Sequence, residues 1–387
     1  MKSEKPRSLE EENLALDFSN LDTDPGPAFP LNRREFLKLV GGGIIIICTA
    51  RCSQAQEGGR RRGQPLPEDF NAFLRIGEDG KVTGYTGKIE MGQGVITSLA
   101  QMLADELDVP YDSVHMVMGD TALCPWDRGT FGSMTTRFFG PPFRAAAAEA
   151  KAVLVELASE KLGVPKEKLR TQDGSVYEVG GSRKVTYGEL TKGKKILRHL
   201  KGVPVETFAD FEIVGKPEIR RDGIDKVSGR AQFAGDIKAP GMLCARILRP
   251  PAHGAKLASV DTSGAKQMDG VEVVHQGDLV AVLHSDPEVA EDALGKIKAE
   301  FDQPKPYADD KTIFEHLLKV ASAGEVVAEG GNLAEGRKTA DYVVDETYLN
   351  SYVAHSPMEP HTAFAKMEGN KLIIQASTQT PFPLQDA

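Results

Sequence analysis

The chain of 387 residues is poor in cysteine: Cys48, Cys52, Cys124 and Cys244 are the whole set, with no CxxC pair among them. Thiols so scattered cannot build a zinc ribbon or a complete cysteine-ligated iron–sulfur site, so any electron transfer would need a cofactor held by other groups. An excess of positive charge is also missing. With 47 basic and 56 acidic side chains the net charge is −9, which excludes a basic nucleic-acid coat and argues against a nucleic-acid partner. No apolar run reaches the roughly 20 residues of a membrane-spanning helix. No segment repeats at solenoid or propeller periods. What is present is ordinary globular composition, 40% apolar and 27% charged. That is enough for sizeable cores and about two or three domains.

Residues 1–62 differ from the rest: they carry ten basic and nine acidic groups, so the acidic excess lies downstream. The stretch is polar to Leu31, then reads Asn32-Arg33-Arg34-Glu35-Phe36-Leu37-Lys38 ahead of the apolar Leu39–Cys48. This resembles a twin-arginine export signal, with Asn32 in place of Ser or Thr. The competing reading of the apolar run is a short buried strand or helix after a chance Arg-Arg. Cleavage sites fit at Ser53-Gln54-Ala55 or Cys48-Thr49-Ala50, and Ile47 and Arg51 are poor residues to precede a lipidated cysteine. Cargo on this route crosses already folded, as a protein loaded with its cofactor in the cytoplasm must. The expected location is the periplasm.

Alternation at Phe70, Ala72, Leu74 and Ile76, a turn at Asp79-Gly80, then Val82 and Gly84-Tyr85 predict a β-hairpin. Gly92-Gln93-Gly94 opens a helix to Leu107, with Val95, Leu99, Met102, Leu103 and Leu107 on one face. Val114–Met118 reads as a strand, 119–142 as a loop, Arg144–Leu162 as a helix stopped by Gly163 and Pro165, and 176–187 as a hairpin around Gly180-Gly181. Together they predict an α+β unit over 65–190. Lys192–Lys201 reads as a solvated basic linker. A second unit over 215–305 has strand candidates at Ala231–Ile237, Met242–Leu248, Val271–Val274 and Leu279–His284, and a Pro287-started helix running to Phe301. A short helix at Ile313–Val320 precedes strand patterns at Tyr342–Leu349, Thr362–Met367 and Leu372–Ser377, with no capping element after Pro381.

Two loops share one physical design. Glu90-Met91-Gly92-Gln93-Gly94 opens the first helix, where glycine allows close approach to the backbone and a helix N-terminus offers free N–H groups to an anion. Gln93 adds a neutral side-chain donor. Gly129-Thr130-Phe131-Gly132-Ser133-Met134-Thr135-Thr136 places hydroxyls and glycines upstream of the Arg144 helix. Two such cradles point to a large phosphorylated or polyoxygenated ligand, whereas either alone reads as a turn. Neither is followed by the Lys-Ser or Lys-Thr of a P-loop. Glu90 and Glu359 read as structural carboxylates that cap or pair in turns. His355 and His361 read as loop or strand histidines, because Pro357 and Pro360 break helical spacing, and no metal site is assigned.

Longer strings carry a more specific signal. Lys88-Ile89-Glu90-Met91-Gly92-Gln93-Gly94-Val95, Gln101–Leu107, Gly119-Asp120-Thr121 with Pro125, and Gly129-Thr130-Phe131-Gly132-Ser133 closely resemble the molybdopterin-binding part of the xanthine oxidase and aldehyde oxidase family. Gly215-Lys216-Pro217 with Arg221-Asp222-Gly223-Ile224-Asp225-Lys226-Val227-Ser228-Gly229 resembles the start of that family's α/β hammerhead domain. His355-Ser356-Pro357-Met358-Glu359-Pro360, with Thr378-Gln379-Thr380-Pro381, resembles the start of its first cofactor-domain half. The Met-Gly-Gln-Gly segment precedes the hammerhead here. That order is similar to the beta subunits of isoquinoline oxidoreductases and to related periplasmic aldehyde dehydrogenases.

The resemblance implies a twin-arginine leader at 1–62, a molybdopterin-binding segment at 65–190, a hammerhead at 215–305 and the start of a further, truncated molybdopterin-binding segment at 340–387. It implies that Met91, Gly92 and Gln93, with Gly132, Ser133, Met134 and Thr135, contact the pyranopterin and its phosphate tail, in the cytosine dinucleotide form. The implied reaction is oxidation of an aldehyde or N-heterocycle with water as oxygen source, electrons leaving through an iron–sulfur small subunit. The family's base is a glutamate near the C-terminus, and neither Glu90 nor Glu359 occupies its position, so no catalytic residue is assigned. The expectation is the N-terminal portion of an exported large subunit, inactive without a separately encoded C-terminal half. The alternative is a non-catalytic cofactor-binding or assembly homologue that lacks the base.

Overall fold

Period-two alternation makes the first hairpin. In the computed structural model, which describes residues 43–47, 72–192, 195–196, 203–306, 308–326, 328–359 and 361–387, the chain divides into two units, 1–235 with 361–387 and 236–360. In the first unit β1 (Gly43–Ile47), β2 (Ala72–Ile76), β3 (Val82–Thr86) and β4 (Val114–Met118) lie side by side in one sheet. β2 and β3 pair antiparallel with Leu74 opposite Gly84 and Ile76 opposite Val82, and β4 runs parallel to β3. α1 (Val95–Glu106) forms the crossover between those parallel strands. Gly84 is a packing requirement: a Cβ there would sit 2.7 Å from Leu103 Cδ1 and 2.9 Å from Met116 Sδ.

α2 (Gly140–Leu162) begins with Pro141-Pro142 in its first turn, where proline lacks only an N–H that would be unbonded anyway. It ends on Gly163 at φ 63, the left-handed form that glycine adopts without Cβ strain. Its buried stripe is mostly alanine (Ala146, Ala147, Ala150, Ala158) with Phe143, Val153, Leu154 and Leu157, and it packs with Leu99 and Leu103 of α1 and Leu74, Ile76 and Val82 of the sheet. The helix starts four residues before the expected Arg144. A π-helical turn at Thr135–Phe139 leads into it, so the expected loop is shorter than the sequence implied. β5 (Leu169–Gln172), β6 (Ser175–Glu178) and β7 (Lys184–Thr186) form a meander, of which β5 had no sequence expectation. α3 (Tyr187–Thr191) is held by a capping box between Thr186 and Glu189. The hydroxyl of fully buried Tyr187 donates to Leu107 O at 2.7 Å, tying this meander to the end of α1.

β1 lies within the apolar run of the leader, whose other residues fall outside the described ones. It pairs antiparallel with β2, Ile44 opposite Ile76, and parallel with the two-residue β8 (Lys195–Ile196). The arginine pair, the leader cysteines and most of the Lys192–Lys201 patch lie outside the described residues.

In the second unit β9 (Cys244–Ile247), β12 (Leu279–His284) and β11 (Glu272–Gln276) form an antiparallel sheet with β12 central, and β10 (Lys256–Asp261) pairs with β13 (Lys298–Asp302). α4 (Pro287–Gly295) starts on Asp286, whose carboxylate accepts the Glu288 N–H at 2.8 Å. Its Ala293 packs with Val282 and Ala265. α4 stops at Gly295 instead of Phe301, because Lys298–Asp302 alternates and is taken up by β10 as a strand. α5 (Ile313–Val320) matches its expectation, and α6 (Leu333–Thr339) is additional. Two expected strands do not form. Ala231–Ile237 holds only a short 3-10 turn at Ala234–Asp236, and Tyr342–Leu349 is exposed and without a ladder partner among the described residues. Chain 361–387 returns to the first unit as the hairpin β14 (Ala363–Glu368) and β15 (Lys371–Ala376), followed by α7 (Pro381–Asp386), a short helix where no capping element was expected.

Candidate functional site

Three sequence-distant segments of the first unit meet at the ends of β3 and β4: residues 86–94, 119–135 and 378–386. Lys88 leaves β3 with its side chain 9% exposed and its ammonium 2.9 Å from Asp127 Oδ1 and 2.6 Å from Gly129 O. An ammonium at that depth is tolerated only with such partners, so the pair fixes the roots of both glycine loops to each other. The Ile89 N–H donates to Thr130 Oγ1 at 2.9 Å. The Thr130 N–H donates to Gln379 O at 2.9 Å, and Gln379 Nε2 donates back to Thr130 O at 2.8 Å. Trp126 Nε1 reaches Asp386 Oδ2 at 3.2 Å.

In the first loop Glu90 does the holding. Its Oε1 accepts the N–H groups of Gly92 (2.8 Å) and Gly94 (2.9 Å), and its Oε2 accepts that of Ile96 (3.0 Å). The Met91 N–H donates to Gln93 Oε1 at 2.6 Å, and Gln93 Nε2 donates to Ile89 O at 2.9 Å. This corrects the expectation that the helix start offers all its donors freely, and it spends one of the two Gln93 Nε2 hydrogens within the loop. A carboxylate is the anion that the partial positive charge of a helix N-terminus favours, and Glu90 is close enough to supply it. The N–H groups of Gln93 and Val95 have no protein acceptor among the described residues. Gly92 at φ +102 and Gly94 at φ +83 occupy backbone that a side chain would strain, and a Cβ at Gly92 would meet nothing within 4 Å. Met91, Gly92 and Gln93 are exposed.

In the second loop Gly132 (φ +61) and Ser133 (φ +56) are consecutive left-handed residues, both exposed. Met134 is half-buried, and buried Thr135 opens the π-helical turn, a distortion often placed at functional sites. The two sets of expected site residues are thus joined at their roots. No hydrogen bond among the described residues links Met91–Gln93 directly to Gly132–Thr135.

Sequence reasoning missed a strap, residues 206–221, that runs along α1 from its last turn to its first. The Glu206 N–H donates to Glu106 Oε1 at 2.8 Å. The N–H groups of Glu212, Ile213 and Val214 converge on the Asp105 carboxylate at 3.0, 2.9 and 2.6 Å. Gln101 Nε2 donates to Ile213 O and Lys216 O, and the Arg221 N–H reaches Thr97 Oγ1. The Arg221 guanidinium lies over the Tyr111 ring at 4.2 Å and donates to Val114 O and Tyr111 O. Two carboxylates in the last turn of an otherwise apolar helix were the available signal, since buried Asp105 and Glu106 must have partners.

Two further titratable groups lie close by. Burial pushes the Cys124 thiol up to about 12, so it stays protonated and unreactive. Hydrogen bonds from Arg220 and Lys226 hold the Asp222 carboxyl well below the usual carboxylate range. His355 belongs to the second unit, while the His361 ring lies 3.1 Å from Ser377 O in the first.

Similarity to known proteins says which family these loops belong to. Residues 30–225 match the family described as molybdopterin cofactor-binding domain, and residues 319–387 match a second family of the same description. The chain is 32% identical over 327 residues to one of the subunits of nicotinate dehydrogenase from Pseudomonas putida, covering 81% of this chain and 27% of that one. It is 26% identical over 288 residues to the beta subunit of isoquinoline 1-oxidoreductase from Brevundimonas diminuta (63% and 36%). Over 373 residues it is 26% identical to the membrane-bound aldehyde dehydrogenase [pyrroloquinoline-quinone] of Gluconacetobacter polyoxogenes (90% and 48%). The chain belongs to the xanthine oxidase family of molybdopterin-binding subunits. It spans between about a quarter and a half of the length of these relatives.

Proposed function

We propose that this chain is the N-terminal portion of an exported molybdenum hydroxylase large subunit that oxidises aldehydes or N-heterocycles with water as oxygen source. The observation that carries the reading is the common anchoring of two exposed, left-handed glycine loops on Lys88 and Thr130. The residues present fit a molybdopterin. The space where a Cβ would stand at Gly92 is empty to 4 Å, and two unspent N–H groups lie beside it. Anionic oxygens suit such donors. When bound, the cofactor supplies two-electron oxidation and oxygen transfer at molybdenum.

In this reading Met91, Gly92 and Gln93 line the cofactor on one side and Gly132, Ser133, Met134 and Thr135 on the other, with the cytosine dinucleotide form as the ligand. Glu90 orders the first loop and moves no proton, because both of its oxygens are occupied by backbone donors. Residues 215–305 are proposed to contribute the hammerhead domain. The electron partner is a small iron–sulfur subunit. That chain should copurify from the native host, and iron-free material with full dye-linked activity would count against it.

Gly132→Val tests the loop assignment. Nothing closer than Met134 Cγ at 3.6 Å opposes a Cβ there, so the cost is backbone strain at φ +61, about 1–3 kcal/mol, confined to the loop. Retained pterin, read by fluorescence after oxidative release, should fall roughly tenfold while the melting temperature changes little. Undiminished pterin would remove Gly132 from the site.

Export rests on Arg33-Arg34 ahead of the short apolar run. A reporter fused after residue 65 should reach the periplasm, and changing both arginines to lysine should hold it in the cytoplasm. Export that survives the double change would contradict the route.

A further inference from the structure

The strap along α1 ends on the first glycine loop. Arg220 Nη1 donates to Gly92 O at 2.9 Å, across 128 positions of sequence. The same guanidinium is forked onto Asp222, Nε to Oδ1 at 3.0 Å and Nη2 to Oδ2 at 2.9 Å, while Lys226 Nζ holds the same Oδ2 at 2.6 Å. Nη2 also lies 3.6 Å from Glu90 Oε1.

We infer that Arg220 is a positioning residue for the cofactor loop: with Asp222 as its brace, it latches the Gly92 carbonyl and fixes the backbone that leaves the Gln93 and Val95 N–H groups free for a ligand. The inference rests on the reading of Met91–Gly94 as a cofactor-binding loop. Glu90 restrains that loop only through N–H groups, at Gly92, Gly94 and Ile96. Nothing packs on Gly92 where a side chain would stand, and its φ of +102 is open to many alternatives for a residue without Cβ. The carbonyl is what remains to be held, and Arg220 holds it.

The arrangement needs arginine. A planar fork can engage both oxygens of Asp222 and still extend a third donor to a carbonyl, whereas lysine offers a single point of charge on a flexible stem. Arg220 is not itself a counter-charge for a phosphate, because Asp222 and Glu90 already stand against its guanidinium. Its contribution is geometric. The strap supplies the rigidity: Arg221, next in sequence, is fastened to Thr97, Val114 and Tyr111, so the latch is mounted on α1 and β4.

Hydrogen exchange on the full chain tests the latch without turnover. In Arg220→Gln, the hydrogen-bonded amides among residues 91–96, those of Met91, Gly92, Gly94 and Ile96, should exchange at least tenfold faster while residues 99–106 keep wild-type protection. Arg220→Lys should fall between the two, and Arg230→Gln, which removes an exposed pair with Asp225, should match wild type. Asp222→Asn, which keeps the arginine and removes its brace, should loosen the same amides and guards against a folding defect in the first variant. In protein from a cofactor-producing host, bound pterin should fall in the same order. Wild-type exchange at 91–96 in Arg220→Gln would overturn the inference, as would faster exchange with undiminished pterin. Wild-type protein without any pterin would overturn the cofactor reading, and the exchange comparison would then still decide the latch.

Discussion

Purified as it stands, the chain is expected to oxidise neither aldehydes nor N-heterocycles at enzyme rates, and supplying the length that its relatives possess beyond it should restore turnover. Among the carboxylates of the family-like motifs, Asp105, Glu106, Asp120, Asp222 and Asp225 are taken up by strap, turn or ion-pair partners, which leaves Glu90 and Glu359 to weigh. Glu90 has three backbone N–H groups on its two oxygens, so withdrawing it to take a proton would strand those donors at the start of α1. Glu359 is exposed in the second unit. Neither is poised as a base, and a missing general base costs about a hundred- to ten-thousand-fold in rate. A steady-state assay with a dye acceptor reads the outcome, with the completed protein as positive control. Ordinary rates from the chain alone would place the base inside it, and Glu90→Gln and Glu359→Gln would then identify it. A completed protein that binds the cofactor yet never turns over would favour the non-catalytic alternative.

The second large effect is on stability. Glu106 is 1% exposed, accepts Arg144 Nε at 3.1 Å and Nη2 at 2.8 Å, and also receives the Glu206 N–H. Arg144 additionally donates to Glu206 O and lies over the Phe211 ring at 4.7 Å. Glu106→Ala strips the charged partner from a largely buried pair and leaves Arg144 Nε and a strap N–H without an acceptor. A loss of about 3 kcal/mol is expected in urea unfolding, toward the lower end for such pairs because Arg144 keeps 19% exposure. Glu156→Ala, which breaks a pair with half-exposed Lys166, should cost less than about 1 kcal/mol. Equal effects from the two variants would contradict the assigned role of Glu106 in binding strap to helix.

What could be read from the sequence was what local physics decides. Leu279–His284 is a strand over the expected residues because five consecutive apolar positions, Leu279–Leu283, between a Gly-Asp turn and the Asp286-Pro287 helix start leave one arrangement. The helix at Ile313–Val320 and the hairpin around Gly180-Gly181 follow in the same way. Boundaries failed where a distant partner decides. Lys298–Asp302 becomes a strand only because Lys256–Asp261 is there to pair with it, and Tyr342–Leu349 has strand-like residues without a partner among the described residues. The seven expected site residues fall on the two loops, but what holds those loops was hidden. Lys88 to Gly129, Arg220 to Gly92 and Asp105 to Val214 join positions between 41 and 128 residues apart. No periodicity encodes such pairings. Glu90 was legible in kind, as a turn carboxylate that caps. Its consequence, that it takes the Gly92, Gly94 and Ile96 donors and leaves only those of Gln93 and Val95 for a ligand, required the geometry.

The most direct test is the cofactor content of the protein itself. The full chain should be purified from a host that makes molybdopterin, together with the iron–sulfur subunit proposed as its partner. Released pterin and molybdenum should then be quantified per polypeptide for wild type, Gly132→Val and Arg220→Gln. Wild type is expected to carry both in near-equal amounts, with each variant depleted while the fold persists. Wild-type protein free of pterin and molybdenum, or variants as fully loaded as wild type, would contradict the assignment of these two loops as the cofactor site.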